Sequence, residues 1–226
     1  MLGTLINFGA VIIGSIAGLI IHSKLPRNIT TRVFQGIGLF TLFLGIHMAA
    51  KTNNFLIMIF SIVIGSIIGE LINIDKYVNR FSDWLKKKVK SKNENFSNGF
   101  ITAFLLFCMG SMSILGSFEE GLGGAPNLLL AKSVLDGFSS IALSATLGIG
   151  VIFSAIPLLI YQGSLTLFAA SLHHFFTENI INELTAVGGL LLIGLGINIL
   201  EIKKLIILNM LPSLVIVVIL AYFFHK

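Results

Sequence analysis

The sequence predicts an all-α, polytopic integral membrane protein: a helical bundle of about eight membrane segments, the fourth and fifth of them partly broken. Three observations carry that expectation. Of the 226 residues, 55% are hydrophobic and 11% charged, against roughly 25% charged in soluble domains, and the mean hydropathy is +0.97. Several apolar runs reach the ~20 residues that cross the hydrocarbon core of a bilayer. Most of the charges fall in the short stretches between those runs. No length remains for a soluble domain. The chain reads as one membrane domain in four parts: a first three-helix repeat (1–73), a basic linker helix (74–97), central polar segments (98–147) and a second three-helix repeat (148–226).

The first segment, Leu2 to Ile21, has no charged region before it and no small-residue cleavage signal after it, so it is expected to be retained as a span. Gly14 and Gly18 give it a small-xxx-small spacing suited to close helix approach, and Asn7 is its polar exception. A SKLPRN turn follows, in which Pro26 stops the helix. Thr31 to Ala50 forms the second segment, with Gln35 near its start and His47 near its end, and Asn54 to Asn73 the third, with Glu70 at an interface. From Ile74 to Ser97 the composition changes. Ile74, Tyr77, Val78, Phe81, Trp84, Leu85 and Val89 recur at helical spacing, with lysines on the other face or beyond it. That is the pattern of a basic amphipathic helix on an anionic leaflet, or of a solvated linker with a few buried anchors.

Gly99 to Phe118 is the fourth segment, Asn127 to Leu147 the fifth, and after Gly148 and Gly150 the sixth runs to about Ser171 with Pro157, Tyr161, Gln162 and Gly163 inside it. Ile180 to Leu200 is the seventh and Leu205 to Phe224, with Pro212, the eighth. With the first loop in the cytoplasm and eight crossings, Lys24, Arg27, Arg32, the lysines of 76–92, Lys203 and Lys204 fall inside, while Glu119, Glu120, Glu178 and Glu183 fall outside, with Lys51 and Lys226 the only lysines on that side. This satisfies the positive-inside rule. An even number of crossings keeps Lys203 and Lys204 inside and puts both termini outside the cytoplasm. The net charge of +5 is thereby explained without a nucleic-acid partner. The single cysteine, Cys108, allows no intrachain disulfide.

An internal repeat is visible. GIGLFTLFLGIHM (Gly36 to Met48) lies over TAVGGLLLIGLGINI (Thr185 to Ile199), matching Gly38 with Gly189, Leu39 with Leu190, Leu44 with Leu195, Gly45 with Gly196 and Ile46 with Ile197. Two crossings between the copies would give them opposite orientation, the inverted-repeat plan of many secondary transporters. Leu/Gly-rich membrane segments also produce such matches by chance.

Chemistry concentrates between Gly110 and Ser144. Lys132, Asp136, Ser140 and Ser144 follow one another at intervals of four, which places them on one helix face. Ionisable groups at that depth rarely face lipid. The Lys132–Asp136 pair either lines a hydrated cavity for a solute or ion, or is a structural bridge between helices. The surrounding Ser133, Gly137, Ser139, Ser140 and Ser144 favour the cavity. GSMSILGS (Gly110 to Ser117), with Ser111 and Ser113, suits a broken or re-entrant helix whose free backbone groups face a cavity, or a tight helix crossing. Glu120 is a candidate for attracting cations at an outer mouth, or a solvated loop residue. Gln162 precedes an expected helix break. His47, His173 and His174 have no metal-ligand spacing, and no metal or cofactor is expected. The sequence contains no GxSxG, HExxH, P-loop or GxGxxG in a strand-helix context, so enzyme activity is not expected.

Taken together, GSMSILGSFEEGL, AKSVLDG, LGIGVIFSAIPLLIYQGSLTL, ELTAVGGLLLIGLGINIL, LPRNITTRVFQGIGLFTLFLGI and IGSIIGELINID resemble the bacterial YqgA/YdfK-type membrane proteins, a family named as a domain of unknown function. The resemblance spans the whole chain and implies a small inner-membrane protein, without implying a substrate. The family pattern favours Asp-Gly where this chain has Glu120-Gly121, which keeps the acidic charge.

The functional expectation is secondary transport of a small polar or charged solute, or an ion, across the bacterial inner (plasma) membrane. Lys132 and Asp136 would form the central site, lined by Ser111, Ser113, Ser133, Ser140 and Gln162 with Glu120 at the mouth. The alternatives are an oligomeric ion channel and a non-transporting scaffold. The partners expected are the lipid bilayer, the small solute or ion and, for a chain of 24.5 kDa, a second copy of itself.

Overall fold

Twelve α-helices and one 3-10 turn account for nearly all of the computed structural model, which describes residues 1–22, 27–91, 93, 95–172 and 175–224. Lys24, Lys92, His173, His174 and Lys226 lie outside the described residues. Among the described residues, seven helices or helix pairs are long and apolar enough to cross a bilayer, and an eighth is gained if one bent pair counts as a single span. A 21-residue helix such as α1 (Leu2–His22) or α7 (Asn127–Leu147) is about 31 Å long, close to the thickness of the hydrocarbon core. The chain divides into two packed units: residues 1–37 with 82–173, and residues 38–81 with 174–226.

In the first unit, α1 lies against α7 along its length. Apolar side chains gain little by associating in lipid, so close approach depends on small residues. Gly14 and Gly18 supply it: a Cβ on Gly14 would overlap the Gly137 carbonyl and the Ser140 hydroxyl, and one on Gly18 would overlap the Ile141 carbonyl. Beside this pair stand α5 (Phe96–Cys108), α6 (Ser111–Gly121), α8 (Gly150–Phe153), α9 (Ala155–Leu167) and α10 (Ala169–Leu172). Val11, Ala103, Phe107, Leu143, Leu147, Val151 and Leu158 meet in the core they share. Helices α5 and α6 are bent by 59° at Met109–Gly110. There the Phe107 carbonyl, freed from helical pairing, accepts a hydrogen bond from Ser113 Oγ at 3.0 Å. The expected break in the fourth segment is therefore present.

The fifth segment was expected to be broken as well. Instead, α7 runs without interruption from Asn127 to Leu147. It begins directly after Pro126, which needs no helical partner for a missing N–H, and stops at Gly148, whose φ of 80° lies where an L side chain is strained. Asn93 Nδ2 closes this end by donating to the Leu147 carbonyl at 3.1 Å. Tyr161–Gly163 also precede a break, which comes at Phe168, between α9 and α10. Helix α9 runs unbroken to that point, because Pro157 falls in its first turn, where no N–H to an earlier turn is lost. Another interruption sits earlier, at Ser154.

The second unit holds the later part of α2 (Arg27–Ala49), α3 (Phe55–Ile72), α11 (Glu178–Ile199), a 3-10 turn (Ile207–Met210) and α12 (Ser213–Phe224). Helices α2 and α11 cross antiparallel through glycine: Gly38 faces Leu200, Gly196 faces Leu42, Gly45 faces Gly189 and Ile193, and Gly189 faces Ala49. Pro212 lies within the eighth span, Ile207–Phe224, as expected; it stands just ahead of α12, and the segment before it is the 3-10 turn. Asn209 holds that turn in place, donating to Glu70 Oε2 at 2.7 Å and accepting from the Asp75 amide at 2.7 Å.

The linker forms α4 (Ile74–Lys88). Asn73, left-handed at φ 60°, separates it from α3; Asn tolerates that conformation better than most residues. Ser82 and Leu85 are its buried positions, while Tyr77, Phe81 and Trp84 are exposed. The apolar face foreseen for the linker thus turns its aromatics outward.

Candidate functional site

The polar stripe of α7 is buried. Lys132 is 5% exposed, Asp136 7%, and Ser140 and Ser144 not at all. Four-residue spacing stacks them one turn apart, and the glycine-lined approach of α1 covers them. Lys132 Nζ forms an ion pair with Asp136 Oδ2 and lies 6.0 Å from the centre of the Phe107 ring, at the outer limit of a cation–π contact. Asn7, fully buried on α1, donates through Nδ2 to Asp136 Oδ2 and to Gln162 Oε1, both at 3.0 Å. One network therefore joins three helices: Lys132 and Asp136 from α7, Asn7 from α1, Gln162 from α9.

This network is incomplete. Asn7 Oδ1 and Gln162 Nε2 are buried without a hydrogen-bond partner, as are the hydroxyls of Ser15, Ser117 and Ser144. Buried polar groups left unpaired are rare and costly. All five lie in this one unit, and ordered water is the usual partner of buried polar groups that the protein does not itself pair.

The other expected residues are distributed unevenly. Ser133 and Ser140 lie on the stripe, but their hydroxyls donate to the carbonyls of Leu129 at 2.6 Å and Gly137 at 2.7 Å. Ser113 is committed to the α5–α6 break, and Ser111 begins α6, half-buried. Each hydroxyl oxygen keeps acceptor capacity for a ligand. Glu120 is not solvated in a loop. Its side chain accepts from the Gly3 amide at 2.6 Å, the Thr4 amide at 3.3 Å and Thr4 Oγ1 at 2.9 Å, and the amino nitrogen of Met1 lies 2.8 Å away. A carboxylate there satisfies the unpaired amides of a helix start and complements its positive end. Glu119 does the same for α7, accepting from the Leu128 amide at 3.2 Å. Both glutamates thereby serve as acceptors at helix starts.

Two parts were not linked by the sequence. Asn7, the polar exception of the first segment, is an interhelical hydrogen-bond partner and joins α1 to both α7 and α9. Thr4, one turn earlier on α1, meets Thr166 of α9 at 3.2 Å; the i, i+3 spacing of Thr4 and Asn7 in an otherwise apolar helix was the available signal. Glu183 was placed on the outer side, near the start of the seventh segment. It is fully buried in the second unit, where it accepts from Thr52 Oγ1 at 2.6 Å and from the amides of Asn53 and Asn54 at 2.7 and 3.0 Å.

Comparison with known proteins adds the family. Residues 2–222 match the family described as "Protein of unknown function (DUF554)". The chain belongs to this family. It is 36% identical over 233 residues to "Uncharacterized membrane protein YdfK" of Bacillus subtilis (strain 168), covering 100% of this chain and 97% of that protein. To "Uncharacterized protein YqgA" of Escherichia coli (strain K12) it is 34% identical over 221 residues, covering 96% of this chain and 94% of that one. No solved structure gives a significant match. Membership and the apolar helices together make this a multi-pass membrane protein. This is the family that the chain was seen to resemble from its sequence.

Proposed function

We propose that this protein is a secondary transporter of a small polar or charged solute, or an ion, in the bacterial inner membrane, and not an enzyme. The observation that carries this reading is the buried Lys132–Asp136 pair, bridged through Asn7 to Gln162, with acceptor and donor atoms left unpartnered at Asn7 Oδ1 and Gln162 Nε2. A purely structural bridge would be expected to close its hydrogen bonds, because an unpaired buried group costs about 1–3 kcal/mol. A transport site leaves them open for a passing ligand, and intramembrane ionisable groups mark such pathways.

Two further observations support an alternating-access carrier. At the crossing of α2 and α11, Gly38 faces Leu200 while its aligned partner Gly189 faces Ala49, the residue aligned with Leu200. Gly45 faces Ile193 while its partner Gly196 faces Leu42, the residue aligned with Ile193. Such reciprocity is what a two-fold relation between inverted repeats requires. In addition, α7 is unbroken, so an even number of crossings needs the bent α5–α6 pair to cross as one span. Eight crossings then keep Lys203 and Lys204 in the cytoplasm and both termini outside.

The test is flux into vesicles reconstituted with purified protein, guided by a thermal-shift screen of ions, amino acids, amines and organic acids. Saturable uptake that disappears in a folded Lys132→Ala, Asp136→Ala double variant is the expected result. Conductance at fixed voltage would make the protein a channel. Absence of both, with the double variant tolerated in cells, would make it a scaffold.

A further inference from the structure

The last turn of α4 carries Lys86, Lys87 and Lys88. Its end is closed by a hydrogen bond from the Ser91 amide to the Lys86 carbonyl at 3.0 Å and one from the Lys90 amide to the Lys87 carbonyl at 3.1 Å. That pairing is a Schellman reversal, and its left-handed position, usually glycine, is here Lys90 at φ 51°. A residue with a Cβ is disfavoured in this conformation. The reversal folds Lys90 back beside the helix end, where Lys86, Lys87, Lys90, Ser91 and Asp83 line an open cavity of about 420 Å³.

Charge in this hollow is unbalanced. The ion pairs among the described residues are Lys132–Asp136 and Met1–Glu120, so none of the three lysines is paired there. Asp83 offsets one of the three positive charges. The helix end is already served by Lys86, Lys87 and Lys88, since cations within the last turn complement the negative end of the macrodipole. Lys90 lies beyond that turn, in a conformation glycine would adopt freely. Backbone held in a disfavoured region points to a function for the side chain it presents. Beside the hollow, Lys88 Nζ sits 4.8 Å from the centre of the exposed Trp84 ring, and tryptophan and lysine together favour the headgroup level of a bilayer.

We infer that this hollow binds the headgroup phosphate of an anionic phospholipid from the bilayer in which the protein sits. Three ammonium groups and the Ser91 hydroxyl supply donors to a compact oxyanion. The lipid tail follows the side of α4 that carries Trp84 into the membrane. This assignment depends on membrane insertion alone and is independent of the transport reading.

The experiment uses the full-length protein in a neutral detergent, melted with increasing short-chain phosphatidylglycerol, with phosphatidylcholine and with inorganic phosphate in separate arms. Phosphatidylglycerol should raise the melting temperature, and the other two should not. In Lys86→Gln, Lys87→Gln, Lys90→Gln its apparent affinity should fall by about a hundredfold, at roughly fivefold per lysine near a lipid headgroup. In Lys203→Gln, Lys204→Gln it should be unchanged. Lys90→Gly separates binding from folding: without lipid it should melt at or above the wild-type temperature, yet bind phosphatidylglycerol about fivefold more weakly. Full retention of the lipid effect in the triple variant, equal loss in the Lys203/Lys204 control, or the whole shift with inorganic phosphate alone would each overturn the assignment.

Discussion

Replacing Asp136 by Leu leaves the Lys132 ammonium buried without its counter-ion, and replacing Lys132 by Met leaves the Asp136 carboxylate held only by Asn7. Both residues are under a tenth exposed, so neither orphaned charge can recover its hydration. Breaking a buried pair from one side costs about 3–5 kcal/mol. The double variant removes both charges and keeps the volume. What it leaves is Asn7 without one acceptor, a loss of about 1–3 kcal/mol. The cycle therefore predicts coupling of about 3 kcal/mol or more between the two positions. At roughly 2–4 °C per kcal/mol for a chain of this size, each single variant should melt about 6–20 °C lower than wild type and the double variant much closer to it. Melting of the four proteins in one detergent reads this directly. Single effects that add to within about 0.5 kcal/mol of the double effect would refute the buried, mutually dependent pair. Flux through the same double variant asks a different question. Recovery of stability without recovery of transport would assign the pair to function; recovery of both would assign it to structure.

Other consequences can be measured in the same way. Asn7→Leu removes the shared donor of Asp136 and Gln162 and should lower stability by about 2 kcal/mol, with an unchanged melting temperature counting against the bridge. Gly14→Val places a side chain into the Gly137 carbonyl and should force α1 from α7, costing about 1–3 kcal/mol; a variant as stable as wild type would show that the helices do not approach so closely. Glu183→Ala strips three donors of their acceptor at the start of α3. It should make the bond after Lys51 more sensitive to limited trypsin digestion at native temperature, while equal cleavage rates would contradict the pin. Gly148→Ala combines a φ of 80° with overlap of Asn93 and should destabilise by more than 1 kcal/mol, read as a fall in melting temperature.

Composition and periodicity determined the class of this protein. Runs of about twenty apolar residues can only be membrane helices, because a backbone in lipid must pair all its own polar groups. The four-residue spacing from Lys132 to Ser144 also survives unchanged into the structure, since helical geometry alone fixes which residues share a face. Local signals failed where they depended on a neighbour. Pro157 read as freeing backbone groups inside a span, but it falls in the first turn of α9, as Pro212 falls just ahead of α12, where a missing N–H matters little. Glu119, Glu120 and Glu183 read as exposed acids because they sit at the ends of apolar runs. What turned them inward was a set of unpaired amides brought to them by other helices. The same holds for the site. The sequence alone named Lys132, Asp136 and Gln162, but no spacing within the chain links Asn7 to residues more than a hundred positions away. Only the close packing of α1, α7 and α9 makes that amide a bridge and leaves its oxygen unpaired.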